Sequence, residues 1–374
     1  MLLHKKRIPP LEMPSWLEAQ TLFPKFYFKC KRTGMETVAL GSLIEINHIP
    51  TPSNLSECYY GILPFPSSSH APFFFLPQVE IKQKDGQAYL LMRDDQSRAL
   101  LKASRPLAPA APLYEREDFL PKQEWIDYVY RILQGIEQKK LQKVVAARKT
   151  IFQTRQTSLF CWLQKLLMQS SNTTLFALQK EPSSLFLGST PEVLYHRQGD
   201  AFYTEAIAGT RAKGDPAKPL QNSAKDLEEV RFVKDFLQEK LATLCQTLTP
   251  LPENSLLQTD RLQHLHAPFV GTLLGAMSDQ QLLQALHPTP AVGGTPSSVS
   301  LECIARHEGF DRGFYAGSIG FISPSESSLA VAIRSSFVTR HSLTAFAGAG
   351  IVQDSDPEQE WEELNLKISH WMVP

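Results

Sequence analysis

Residues 119–152 read FLPKQEWIDYVYRILQGIEQKKLQKVVAARKTIF. Over 119–140, Trp125, Val129, Ile132 and Ile136 recur at intervals of three or four, the spacing of one helix face. From Leu141 the pattern changes to a β-branched run that reads as a strand. Residues 158–169 look helical again, and TLFALQ (174–179) and SLFLGS (184–189) look like paired strands. Residues 222–247 form a second amphipathic helix with Leu227, Val230, Val233, Leu237, Leu241 and Leu244 facing inward. Strands are expected between 312 and 352. A third helix starts near Pro357, with Ser355 or Asp356 as its cap and proline at its first position. Strands and helices do not alternate in βαβ order, so the class is α+β with extensive, mostly antiparallel sheet.

Working outward, residues 1–118 are Pro-rich. PTPSN (50–54), PFPSSSHAPFFFLP (64–77) and PLAPAAPL (106–113) read as turns between short strands, and FYFK and QAYLLMR suit strands. This part is expected to be β-rich and carries no interpretable motif. The whole chain, 374 residues and 43% hydrophobic, supports a large core, either divided into domains or continuous. Lys plus Arg and Asp plus Glu both number 38, so no global attraction to nucleic acid or an anionic membrane is expected. An anionic ligand must then be held by a few local cations. Cys30, Cys58, Cys161, Cys245 and Cys303 show no CxxC spacing, which fits reduced thiols in a cytoplasm rather than disulfides or a zinc site. MLLHKKRIPP lacks an apolar signal core, and no apolar run reaches eighteen residues. The glycines of AGAGIV (347–352) miss the dinucleotide spacing, because Gln353 stands where the last glycine belongs.

Four polar clusters lie in apolar surroundings. Lys143 opens KVVAAR, sharing a strand face with Val145 and Ala147. It is either a desolvated lysine fit to act as a base or a solvated residue at a strand end. Glu192 follows a Gly-Ser-Thr-Pro turn and is either a placed acid or a surface turn residue. Asp226 and Glu229, and likewise Glu360 and Glu363, are three apart and share helix faces, with Lys367 one turn beyond. Two such helices suit a hard cation such as Mg²⁺ held between them, or simply salt-bridged surfaces. Finally, TEAIAGTR (204–211), HPTPAVGG (287–294) and AGAGI (347–351) read as small-residue loops whose amides approach an anion. Arg334 in the apolar strand AVAIRSS demands an anionic partner, from a ligand or from the protein. His287 is a hydrogen donor to a ligand or a turn residue.

Taken in order, KVVAAR, GSTPEVL, TEAIAGTRAKG, AKDLEEV, HLHAPFVGTL, HPTPAVGGTP, DRGFYAGSIGF, AVAIRSS and GAGIVQDSDPEQEWEELNLK resemble the chorismate-binding enzyme family, over about 225 residues. That family includes isochorismate, salicylate, anthranilate and aminodeoxychorismate synthases. The resemblance implies one chorismate-binding-type domain over 1–374, with a divergent N-terminal part (1–118) and a catalytic part (119–374). It implies a sandwich of two large, mostly antiparallel sheets flanked by helices. It places Lys143 as general base, Glu192 as general acid, and Glu229 and Glu363 as Mg²⁺ ligands. Asp226 and Glu360 become acidic neighbours reached through water. Gly209, Thr210, His287, Tyr315, Arg334, Gly348 and Lys367 fall on substrate-contacting positions. Lys143 and TEAIAGT, with Ala206 where salicylate synthases more often carry proline, favour the isochorismate type. Salicylate and aminating synthases are the alternatives. No glutaminase cysteine motif is present, so no obligatory glutaminase partner is expected, and a monomer is typical. Isochorismate feeds menaquinone or a catecholate siderophore. Two departures stand out: Val230 replaces the usual histidine after Glu229, and SPSESS (323–328) lacks the usual glycine.

Overall fold

The computed structural model describes residues 4–93, 97–155, 157–214, 220–250 and 255–372. The N-terminal part runs β1 (His4–Ile8), α1 (Met13–Ala19), β2 (Lys25–Lys29), β3 (Glu36–Ile46), β4 (Tyr59–Leu63), β5 (Phe73–Lys84), β6 (Gln87–Met92), α2 (Ser97–Leu100) and β7 (Leu113–Phe119). Then come α3 (Lys122–Glu137), β8 (Lys143–Thr154), α4 (Cys161–Gln169), β9 (Thr174–Glu181), β10 (Ser184–Thr190), β11 (Val193–Gln198) and β12 (Ala201–Ala212). They are followed by α5 (Ala224–Leu244), β13 (Cys245–Pro250), β14 (Ser255–Gln258), β15 (Leu262–Leu273), α6 (Asp279–Leu286), β16 (Gly294–Thr295) and α7 (Ser297–His307). The C-terminal part is β17 (Ser318–Ile322), β18 (Glu326–Val331), β19 (Ser335–Thr339), β20 (Ser342–Ile351) and α8 (Pro357–Met372). The α+β class holds, and among the described residues every pairing between strands is antiparallel.

The two expected sheets are present as two ladders joined through one strand. The first runs β1-β6-β5-β3-β2-β9-β10-β19-β20-β8-β7. The second runs β5-β4-β17-β18-β11-β12-β15, with β13 and β14 both on β15. They meet because β5 is long: Phe73–Phe75 pair with β4, and Val79–Lys84 pair with β6 along the same edge. Alternation then builds the space between them. Phe26 and Phe28 on β2, with Phe176 and Phe186 on β9 and β10, form one buried cluster with Tyr60, Ile319 and Phe321 of the other ladder. Phe28 meets Phe321 edge-on at 6.1 Å. Tyr27 points the opposite way, into the larger cluster that includes the helices.

The helices cover the outer faces. Trp125, Val129, Ile132 and Ile136 are the buried stripe of α3, as their spacing predicts, and Trp125 packs on Trp361 of α8 at 6.2 Å. Asp356 caps α8 by accepting from the Gln359 amide at 2.9 Å. The helix predicted to reach 247 stops at Leu244, and Cys245 starts β13. The prolines of 64–77 mislead in one respect: Phe73 to Pro77 are already strand. Pro77 sits opposite Ser42, where the β3–β5 register shifts, a place where a missing amide donor costs no regular ladder bond. All five cysteines are free. Among the described residues no helix is long and apolar enough to cross a membrane.

Candidate active site

Lys143 begins β8, and its peptide is fixed from the edge side. Thr295 of β16 pairs with it, and Ser300 Oγ donates to its carbonyl at 3.0 Å. Farther along that edge, Gly293 O accepts from the Val145 amide at 2.8 Å, and Glu308 Oε1 from the Ala147 amide at 2.9 Å. The start of the strand's polar edge is thus satisfied by the short β16, a loop carbonyl and two side chains. The Lys143 side chain is fully buried, 0% exposed, which removes the solvated alternative. Its Nζ lies 3.3 Å from Glu229 Oε1 of α5.

Glu192 sits between β10 and β11, where Pro191 breaks the chain, and is only 2% exposed. The surface-turn alternative therefore fails. Burial first, then the negative charge of Glu205, push its carboxyl up to about 8; Lys143, Lys31 and a hydrogen bond from Thr289 pull the other way. Thr289 Oγ1 donates to Glu192 Oε1 at 3.4 Å.

The carboxylates of α5 and α8 face each other, and each has a cation. Lys225 pairs with Glu360, Lys367 with Glu363 at 2.6 Å, and Arg211 with Asp226 at 3.0 Å. The Glu363–Lys367 contact, one turn apart, is the salt bridge that the alternative reading of this helix face supposes. Burial, then the charge of Glu363, raise Glu360 to about 7, and Glu229 adds to the push. Burial raises Asp226 as well. These are signs of like charges converging. Among the described residues no three His, Cys, Asp or Glu side chains are grouped to hold a metal. Hard oxygen donors from one or two carboxylates, with waters and substrate supplying the rest, are nevertheless what Mg²⁺ takes. Glu229 and Glu363 fit that sparse demand.

A cavity lies between α5, β12, β15, β20 and α8. Of the predicted residues, Glu192, Gly209, Thr210, Glu229, Tyr315, Arg334, Gly348 and Lys367 line it. Lys143 lies directly behind Glu229. Glu363 is joined to the wall through Lys367, and Asp226 lies against Gly209, whose added Cβ would come 3.1 Å from the Asp226 Cβ. His287 is not brought in: it ends α6, and burial pushes its ring down to about 4.

Two expectations about backbone change. Arg334 is not on a strand but between β18 and β19, at φ +52°, a left-handed conformation that side chains seldom adopt. Burial lowers its guanidinium to about 10. No carboxylate among the described residues forms an ion pair with it, which leaves it for a ligand. The segments 204–211 and 347–351 are strands, not loops. Their small residues make room: a Cβ on Gly348 would lie 2.7 Å from Tyr315 Oη, and one on Gly350 would lie 2.1 Å from Glu229 Oε1.

Three further residues gather here without a role read from sequence. His264 lines the cavity, with Nδ1 3.1 Å from the Gly209 carbonyl and Nε2 buried without a partner. HLHAPF carries two histidines, and the motif alone did not single out which one points inward. Glu205 and Lys31 form a buried ion pair beside Glu192. A glutamate inside the apolar strand TEAIAG was the only signal for it.

The family of chorismate binding enzymes matches residues 67–373. A chloroplastic isochorismate synthase of Catharanthus roseus is 35% identical over 271 residues, 70% of this chain and 47% of that one. The chain thus spans about half the length of the plant relatives it matches. Isochorismate synthase MenF of Escherichia coli (strain K12) is 30% identical over 386 residues, 95% of this chain and 88% of that one. The solved structure of MenF, the menaquinone-specific isochorismate synthase from Escherichia coli, superposes with a TM-score of 0.90 at 27% identity, covering 99% of this chain and 95% of that one. The shared fold and the extent of the family match agree: the chain belongs to the chorismate-binding enzyme family.

Proposed function

We propose that this protein is an isochorismate synthase, converting chorismate to isochorismate by adding water at C2 with loss of the C4 hydroxyl. The observation that carries the reading is Glu192: a buried carboxyl that keeps its proton to about pH 8, on the wall of the same cavity that Lys143 backs. An acid that protonates a departing hydroxyl at neutral pH must have this property.

Lys143, unprotonated at the moment of attack, takes a proton from water as its oxygen bonds to C2. The ring π electrons shift, the C4–O bond breaks, and Glu192 gives its proton to the leaving hydroxyl, which departs as water. Proton return from Lys143 to Glu192 restores the site, so the net change is an isomerisation. Arg334 receives one substrate carboxylate bidentately, while the Gly209 amide donates to Glu229 Oε2 at 3.2 Å and helps hold that carboxylate. Tyr315 and Lys367 complete that wall. Glu229 and Glu363 would hold Mg²⁺, with Asp226 and Glu360 reached through water; the ion supplies positive charge for the other substrate carboxylate. No glutaminase partner enters this chemistry.

Purified protein incubated with chorismate and Mg²⁺ is expected to yield isochorismate, read by chromatography, with no pyruvate. Salicylate fluorescence with pyruvate release, or product formed only with ammonia, would overturn the reading. Lys143→Ala is expected to cut kcat by roughly 10²–10⁴ with the circular dichroism spectrum unchanged; unaltered turnover would remove Lys143 as the base.

A further inference from the structure

The general acid is gripped from behind by a pair of residues from distant parts of the chain. Lys31 follows β2 and precedes the stretch that matches the family. Its ammonium lies 2.5 Å from Glu205 Oε1 and donates to the carbonyl of Pro191. Glu205 Oε1 in turn accepts from the amide of Val193 at 2.7 Å. One buried ion pair therefore holds the peptide units on both sides of Glu192. The second oxygen of Glu205 is also occupied, by Tyr203 Oη at 2.8 Å and His266 Nε2 at 2.8 Å. Arg32 lies 3.8 Å over the Tyr203 ring and closes the outer side.

We propose that Lys31 and Glu205 are positioning residues for the general acid: they fix the turn that aims Glu192 into the cavity, and Glu205 sets a permanent negative charge behind it that keeps its proton in place. The proposal rests on the reading of Glu192 as the acid of chorismate hydration.

The electrostatics run in the required direction. Burial alone would protonate Glu205, but Lys31 and His266 overcome it and hold the carboxyl down to about 2. It is ionised at every working pH. In a low-dielectric interior such a charge acts strongly on a neighbour. Two adjacent carboxyls are thus driven apart, one always charged and one kept neutral, the pattern that assigns acid and base roles elsewhere. The other groups facing Glu192 are Lys143 on β8 and Lys31, both opposing its protonation. Across the cavity stand Glu229 on α5, His264 on β15, Arg334, and Lys367 on α8.

The test is an infrared pH titration of the 374-residue chain. The carboxylic-acid carbonyl band that disappears in Glu192→Gln reports the protonation of Glu192 without any need for turnover. In Glu205→Gln the midpoint of that band is expected to fall by about one pH unit or more. The alkaline limb of kcat/KM is expected to fall with it, a loss of about tenfold at pH 8. Glu205→Asp, which keeps the charge, should return the midpoint toward the wild-type value. Lys31→Met removes a cation that opposes protonation of Glu192 and also helps keep Glu205 ionised, so its midpoint should leave the wild-type value. That variant also decides the matter if Glu205→Gln does not fold. A midpoint that stays put in a folded variant, with activity lowered at all pH values alike, would overturn the proposal and leave the pair a purely structural role. If chorismate is not hydrated, the functional reading falls, while the band still decides what the pair does to Glu192.

Discussion

At the scale of single residues, the site stores its cost in Glu192. The folded chain keeps this carboxyl protonated to about 8, against an ordinary value of 4.5. Between those values the native state holds a proton that the unfolded state has released. Stability therefore declines as pH rises from about 4.5 to about 8 and is fully present only below that window. Glu192→Gln keeps the size and an acceptor for Thr289 but has no charge to suppress. The variant should be inactive yet more stable than wild type at pH 8, by an amount on the order of a few kcal/mol, with the gap closing near pH 4.5. Urea denaturation at pH 5 and pH 8 reads this directly. Equal gaps at both pH values would show that Glu192 is not held neutral by the fold. Such a residue, costly to the fold and needed for chemistry, is where stability and activity are expected to trade against each other.

At the scale of elements, β20 shows why small residues recur near the site. Gly350 pairs with Val145, one strand over, beneath the Lys143–Glu229 contact. A Cβ there would lie 2.1 Å from Glu229 Oε1 and 3.0 Å from Lys143 Cε. Gly350→Ala must push α5 or the lysine aside, at a cost of about 1–3 kcal/mol. It should also abolish turnover more completely than it destabilises the fold; chemical denaturation beside a chorismate assay separates the two effects, and full activity would mean that the pair tolerates displacement. The same strand shows what was legible. The stripes of α3 and α5 could be read because one face of each touches the core and the rest does not. The acids Glu192, Glu229 and Glu363 could be proposed because their motifs keep a family order. AGAGI reads as a loop because glycine ordinarily signals one, while here its glycines make room for side chains that cross the strand. Arg334 reads as strand because the apolar run continues to Ile333, and only its backbone conformation separates it. Lys31 and Glu205 were not legible, since neither lies in a repeating pattern and they meet only after the two ladders close.

At the scale of the whole molecule, that closure makes the N-terminal part structural as well as catalytic in consequence. β2 lies inside the first ladder, between β3 and β9, and β4 joins β5 to β17 in the second. Phe26, Phe28, Tyr60 and Ile62 then fill the space against Phe176, Phe186, Ile319 and Phe321. A chain trimmed to residues 67–374, starting where the family match starts, would lose β1 to β4 together. β9 and β17 would each expose an unpaired edge, and several buried aromatic faces would meet water, each worth about 1.5–3 kcal/mol of lost burial. That total exceeds the few kcal/mol by which a domain is ordinarily stable. The trimmed chain should therefore aggregate or bind a hydrophobic dye, lose its near-ultraviolet circular dichroism, and show no turnover, although it keeps Lys143, Glu192, Glu229 and Glu363. Adding back the 1–66 segment as a separate chain should not restore activity unless β2 re-enters between β3 and β9 and carries Lys31 to the Pro191 carbonyl. A soluble 67–374 chain with a cooperative unfolding transition would instead show that the motif-bearing part folds alone, and that residue 67, where the family match begins, is a true domain edge.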